Sequence, residues 1–191
     1  DIGVYRISFG IESGCQKTLD YLKNSTLKLE QVGKGIAIAK SRGLECVGSF
    51  IIGSPFESEE DIEETLSFIK QLRLDSVQIT IATPFPGTEL WEDGRRSGKI
   101  VGDEWSDDYY VLFANSPDRN LVDSIKNKRL LTQIDRAAFD RLVAKAESLA
   151  NRINLSRANI LKIIKRILVS EPLLLPWKMV KGVRYLVSNR N

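Results

Sequence analysis

Histidine is absent from the 191 residues, and cysteine occurs only at Cys15 and Cys46. Without an imidazole, a Ser-His-Asp triad and a histidine general base are both excluded. The two cysteines lie far apart and follow no metal-ligand spacing, which excludes a zinc site. Two isolated thiols fit small buried side chains in a reducing compartment better than a disulfide. No apolar run is long enough to span a bilayer, and the first residues show no signal-peptide pattern, so the expected location is cytoplasmic. A strong charge of one sign is missing as well. With 28 basic and 25 acidic residues the formal charge is +3, and a nucleic-acid partner is not expected.

What is present is a chain long enough to bury a substantial core, most simply one domain with an appendage. Residues 47–70 organise the rest. Phe50, Ile51 and Ile52 form a continuous apolar run within 44–52, the pattern of a strand covered on both faces in a parallel sheet. Gly53 stops it. Ser58 is placed to cap a helix over 58–72, with Glu59, Glu60 and Asp61 at the positive end of its dipole. Ile62, Leu66 and Ile69 form its buried stripe. A first strand is predicted over 4–9, helices over 16–22 and 27–42, and a third strand over 76–83. In the 27–42 helix, Val32, Ile36 and Ala39 share one side, and Gly33 and Gly35 are costly in a helix unless they permit close packing on the sheet. Strand, helix, strand, helix, strand at this spacing implies right-handed βαβ units, an α/β fold.

Parallel α/β folds place ligands at the C-terminal ends of their strands. There the first strand ends in Gly10-Ile11-Glu12-Ser13-Gly14. Glu12 can accept two hydrogen bonds from a diol and Ser13 can donate or accept one. They read equally as a solvated loop carboxylate and a helix cap. The third strand ends in Thr83-Pro84-Phe85-Pro86-Gly87-Thr88, a rigid turn whose Thr88 can cap a short helix through Trp91 to Arg96. Residues 102–119 carry Trp105, Tyr109, Tyr110 and Phe113, which read as packing before cofactor stacking. From Asp135 onward the periodicity is helical. Beyond Arg152 the chain is cationic, with Glu171 its one acidic residue. Residues 177–191 form a basic amphipathic piece that can dock on its own domain, on a partner or on a membrane surface.

Taken together, Phe9-Gly10-Ile11-Glu12-Ser13-Gly14, Phe50-Ile51-Ile52-Gly53-Ser54-Pro55-Phe56-Glu57 and Ala82-Thr83-Pro84-Phe85-Pro86-Gly87-Thr88 resemble, in order and spacing, the last three strand ends of the radical S-adenosylmethionine enzymes. The likeness is strongest to the cobalamin-associated branch, which includes an anaerobic magnesium-protoporphyrin monomethyl ester cyclase. It covers residues 4–100. It implies the C-terminal half of a partial parallel (β/α)6 TIM-like barrel, followed by an α-helical extension. The implied divisions are 1–100 for strands four to six, 101–134 for a loop-rich connector, and 135–191 for a basic helical region. Glu12 and Ser13 would contact the ribose of S-adenosylmethionine. The fifth-strand motif G-x-I-x-G-x-x-E maps loosely onto Ser49, Ile51, Gly53 and Glu57, and with Ile52 these shape the adenine pocket. Ala82, Thr83 and Pro84 line its other side. Ser49 replaces the first glycine of the motif, and Glu57 stands one residue late.

The resemblance also implies a [4Fe-4S] cluster held by C-x-x-x-C-x-x-C, which Cys15 and Cys46 cannot form. The cluster ligands, the missing N-terminal half of the barrel and any cobalamin domain would therefore lie outside this chain, which starts at Asp1 like a piece of a longer polypeptide. Implied partners are a small-molecule substrate and an electron-donor protein. The expected function is that of a radical S-adenosylmethionine oxidoreductase, with this chain inactive alone. Two other readings are a non-catalytic binding or scaffolding module with a docking tail, and another α/β enzyme using Glu12 or Glu57 as a general base.

Overall fold

The computed structural model describes residues 3–101, 106, 109 and 121–170. Strands β1 (Arg6–Glu12), β2 (Glu45–Ile52) and β3 (Ser76–Ile81) form one parallel sheet with β2 at its centre. Helices α1 (Gln16–Leu22) and α2 (Leu29–Ser41) connect β1 to β2, and α3 (Glu59–Leu72) connects β2 to β3. Then follow α4 (Glu89–Arg96), α5 (Leu121–Ile125), α6 (Arg136–Asn154) and α7 (Arg157–Ser170).

The sheet register decides which side chains meet. Gly48 pairs with Val77, Phe50 with Ile79 and Ile52 with Ile81, so these residues and Cys46 share one face. Cys46, Phe50, Ile52 and Val77 are fully buried there. They pack with Val32 and Ile36 of α2, Ile62, Leu66 and Ile69 of α3, and Phe139, Val143 and Ala146 of α6. Each such aliphatic or aromatic side chain gains about 1.5–3 kcal/mol by leaving water. The opposite face is different. Ser8 and Gly10 are exposed, and Ser49, Ile51, Gln78 and Thr80 are half-buried. The apolar run in β2 predicts cover on both sides, but the described residues bury one face of it and leave the other polar and partly open.

Two boundaries also move. β1 begins two residues later than the pattern predicts and runs on through Ile11, which is 1% exposed, to Glu12. The sequence places a turn at Gly10. The chain instead keeps pairing with β2 across a register shift between Gly10 and Glu12, and Glu12 takes a left-handed φ of 71°. In α2, Val32, Ile36 and Ala39 are buried as their spacing predicts. Neither glycine there is required by a close approach, since a Cβ on Gly33 would meet open space and one on Gly35 would stand 3.8 Å from the Phe9 ring.

The helix starts follow the sequence closely. The Ser58 hydroxyl accepts from the Asp61 N–H at 3.3 Å, and the Asp61 carboxylate accepts from the Ser58 N–H at 2.8 Å, a reciprocal cap for α3. Thr88 caps α4 by accepting from the Trp91 N–H at 3.2 Å. Helix α5 falls inside the stretch that reads as a loop-rich connector, and its Leu121 and Ile125 are buried in the main core. Tyr109 is buried and meets Trp91 edge-on at 6.2 Å, which is packing. Trp105, Tyr110, Phe113 and the basic segment 177–191 lie outside the described residues. Among the described residues, no helix is long and apolar enough to cross a membrane.

Asn154, at the end of α6, finishes the outer edge of β3. Its side-chain oxygen accepts from the Val77 N–H at 2.8 Å and its amide donates to the Val77 carbonyl at 2.9 Å, as a fourth strand would. The same oxygen accepts from the Ser76 hydroxyl at 2.9 Å. Asn154→Ala removes all three bonds and is expected to cost about 2 kcal/mol. A urea midpoint shifted to lower concentration with an unchanged slope reports that loss, and an unmoved midpoint refutes the role.

Candidate functional site

The C-terminal ends of β1, β2 and β3 lie side by side, and the residues following each form one rim. Gly14 brings the end of β1 against α3. A Cβ there would stand 2.7 Å from the Thr65 Cα and 2.6 Å from the Phe68 Cβ, so only glycine fits this contact. The Gly14 N–H donates to the Thr65 hydroxyl at 3.0 Å. Ser13 is fully buried in the same joint, its hydroxyl 3.1 Å from that of Thr65 while accepting from the Cys15 N–H at 3.1 Å. The Ser13 hydroxyl is therefore turned to α3.

Glu12 occupies the rim itself. Its carboxylate lies back over Gly10 and accepts from Lys23 at 3.0 Å, with side chains 18% and 33% exposed. A pair this open to water contributes on the order of 1 kcal/mol or less. The left-handed backbone at Glu12 is the more telling feature, because non-glycine residues held there collect at binding and catalytic sites.

At the end of β2, Gly53 turns with φ 87°, and the Glu57 carboxylate closes the loop from below. One Glu57 oxygen accepts from the Gly53 N–H at 2.6 Å and the Ser54 N–H at 3.1 Å. Glu57 is 3% exposed, and burial outweighs these two bonds, pushing its carboxyl up to about 7. Ile52 is fully buried and Ile51 half-buried beside it. At the end of β3, Ala82 continues the ladder, its N–H donating to the Ile52 carbonyl at 2.9 Å. Ala82 and Pro84 are buried and Thr83 is half-buried, while Phe85 and Phe56 stand exposed on the same rim.

The sequence reading does not single out α1 as part of the rim. Lys17, Thr18 and Tyr21 of that helix nevertheless face Ser54, Phe56 and Glu57 across a cavity of about 240 Å³. The signal was available in the i, i+4 spacing of Lys17 and Tyr21. Tyr21 meets the Phe56 ring edge-on at 5.5 Å and donates to Asp93 of α4 at 2.6 Å. Burial and that carboxylate both raise its hydroxyl pKa. Lys17 pairs with Asp61 at 2.5 Å. Burial alone would raise the Asp61 carboxyl, but bonds from Lys17, the Ser58 N–H and the Cys15 thiol hold it below its ordinary value. Cys15 donates to Asp61 at 3.3 Å and Cys46 lies in the core, both thiols pushed up by burial. Neither is suited to ligate a metal as a thiolate, and no group of three His, Cys, Asp or Glu among the described residues could hold a metal ion.

Glu57 makes stability depend on pH. Its carboxyl is raised from 4.5 to about 7 in the folded chain, so folding retains a proton that the unfolded chain releases. The resulting stability is fully present below the unfolded value and lost as pH climbs through the folded one. Relative to Glu57→Gln, which cannot titrate, the wild type should lose about 3 kcal/mol between about pH 4.5 and about pH 7.5. Parallel urea titrations of both proteins measure the difference, and curves that stay parallel across that window would refute the buried ionisation.

No protein-family model matches the chain. It is 38% identical over 103 residues to an uncharacterised methyltransferase of Pyrococcus horikoshii, covering 54% of this chain and 22% of that protein. It is 32% identical over 106 residues to the bacteriochlorophyllide d C-8(2)-methyltransferase of Chlorobaculum tepidum, covering 55% and 24%. With the anaerobic magnesium-protoporphyrin IX monomethyl ester cyclase of Rubrivivax gelatinosus it shares 29% identity over 91 residues, 48% of this chain and 16% of the cyclase. The chain thus spans less than a quarter of the length of each of these relatives. The likeness to cobalamin-associated radical S-adenosylmethionine enzymes read from the three strand ends agrees with these relatives, which match about half of this chain.

Proposed function

We propose that this chain supplies the ribose- and adenine-contacting part of a radical S-adenosylmethionine enzyme, with its three strands as the last three of a six-stranded partial barrel. The observation that carries the reading is the one-sided sheet. Parallel strands are ordinarily covered on both faces, yet here the face bearing Ser8, Gly10, Ser49, Gln78 and Thr80 is polar and partly open, and the rim above it bears Glu12, Gly53 and Thr83. A polar inner face below a rim of strand ends is what a barrel lumen with a ligand at its mouth requires.

The rim fits an adenosyl group. Glu12, loosely held by Lys23, can transfer its acceptor oxygens to a ribose diol, and its strained backbone fixes where they sit. Ile51, Ala82, Thr83 and Pro84 offer apolar surface and backbone groups suited to a flat purine. Glu57 acts one step back by holding the Gly53–Ser54 loop through two N–H bonds. Ser13 serves as a positioning residue through Thr65. Cys15 and Cys46 do not fit an iron-sulfur cluster, so cluster ligation falls to residues outside this chain. S-adenosylmethionine bound against such a cluster supplies hydrogen-abstracting radical chemistry. The names of the relatives make methyl transfer or ring formation on an organic substrate the favoured outcome for the natural protein.

Glu12 tests this. In the natural gene product, purified anaerobically, Glu12→Ala should weaken S-adenosylmethionine binding by tenfold or more, as expected for two lost hydrogen bonds to a charged acceptor. Calorimetric titration measures it. Unchanged affinity would remove the ribose role and leave the binding-module reading in its place.

A further inference from the structure

The cavity between α1 and the loop after β2 contains more unsatisfied polarity than the adenosyl reading uses. Thr18 is 4% exposed, Ser54 1% and Glu57 3%. Each has a side-chain oxygen without a hydrogen-bond partner, namely Thr18 Oγ1, Ser54 Oγ and Glu57 Oε1. Buried polar atoms are nearly always partnered, and the three residues that carry these oxygens border the same cavity of about 240 Å³. That is several times the roughly 30 Å³ share of one water molecule, so there is room for a short organic group.

The occupant's chemistry follows from the lining. A carboxylate only accepts, and both hydroxyls can accept, so the three oxygens together call for a group rich in donors. Phe56 and Tyr21 border the same space and contribute aromatic surface, which favours a cation over a neutral donor. Lys17, the cation among the lining residues, is paired with Asp61 and its side chain is 61% exposed, so its charge is already matched by a carboxylate other than Glu57. We propose that this cavity binds the primary ammonium group of a small ligand, its three N–H donors taken by Glu57, Ser54 and Thr18 and its carbon skeleton flanked by Tyr21 and Phe56. The site goes beyond the adenosyl reading and does not depend on it, because Glu12, Thr83 and Pro84 take no part.

The charged groups facing Glu57 are Asp61 from α3 and Lys17 from α1, and they are already paired with each other. An ammonium ion selects the ionised form of Glu57. Binding therefore strengthens as pH rises through about 7, where that carboxyl titrates, and continues until the amine itself loses its proton.

The probe is n-butylammonium chloride, titrated into the 191-residue chain and followed by carbon-detected shifts of the Glu57 carboxyl and the Thr18 methyl. The isosteres n-butanol and butyrate are run in parallel. The amine should saturate with a dissociation constant on the order of 1 mM and bind at least tenfold more tightly than the alcohol. It should weaken about tenfold from pH 8 to pH 6, as one group titrating near 7 requires. Thr18→Val preserves side-chain shape and deletes an unpartnered hydroxyl. It should weaken the amine about fivefold while leaving thermal stability equal or higher, which separates lost binding from lost folding. Absence of saturation at millimolar amine, or no preference over n-butanol, would overturn the proposal, with solvent alone serving the three oxygens. A preference for butyrate would also overturn it and assign the site to Lys17 and an anion. These outcomes are read without any adenosyl ligand, so they stand or fall separately from the Glu12 result.

Discussion

One buried carboxylate holds the rim in shape. Glu57 sits beneath the turn after β2 with almost no access to water, and the two N–H groups it receives, from Gly53 and Ser54, are donors that the end of β2 leaves without a strand partner. Without it the turn would have to find those partners in solvent, and the chain could not pass directly into α3. The position of α3 then fixes the end of β1, because Ser13 and Gly14 fasten to Thr65 on that helix. Through Asp61, α3 also fixes Lys17 and the start of α1. A rim assembled from three separate connections is thus referred to one helix.

Much of this was legible in the sequence, for identifiable reasons. The cap of α3 could be read from Ser58 and Asp61 because capping is a matter of three or four consecutive residues. The strand ends could be read from Gly53 and from the prolines after Thr83 because these residues restrict or free the backbone wherever they occur. The path of β1 could not. Its last turn of pairing depends on Ile11 finding a place in a core made by α3 and β2, and a bulge has no sequence pattern of its own. The partner of Glu12, the inward turn of Ser13 and the participation of Thr18 and Tyr21 are also tertiary facts. They follow from where α1 lands, and α1 is a helix of seven residues with a weak pattern.

The sheet likewise exceeds what its residue pattern announces. Phe50-Ile51-Ile52 reads as buried on both sides, and the structure divides the three. Phe50 and Ile52 enter the helix-covered core, while Ile51 borders the polar face. A run of apolar residues records only that water is scarce. It does not say whether a neighbouring side chain, a ligand or another part of the protein excludes it.

Asn154 has a consequence for how this fold meets other chains. By reproducing the hydrogen-bonding of a strand with one amide, it caps the start of β3 at Val77 on that side. The described part of β1 pairs only with β2, and Val4 just before it and Ile7 within it are exposed. The two margins of this sheet therefore differ: the start of β3 is capped at Val77 by a side chain, while β1 has no second strand partner among the described residues. Whether a newcomer is a covalent neighbour, a partner or a second molecule in a misassembled pair, the start of β3 is occupied against it and β1 is not.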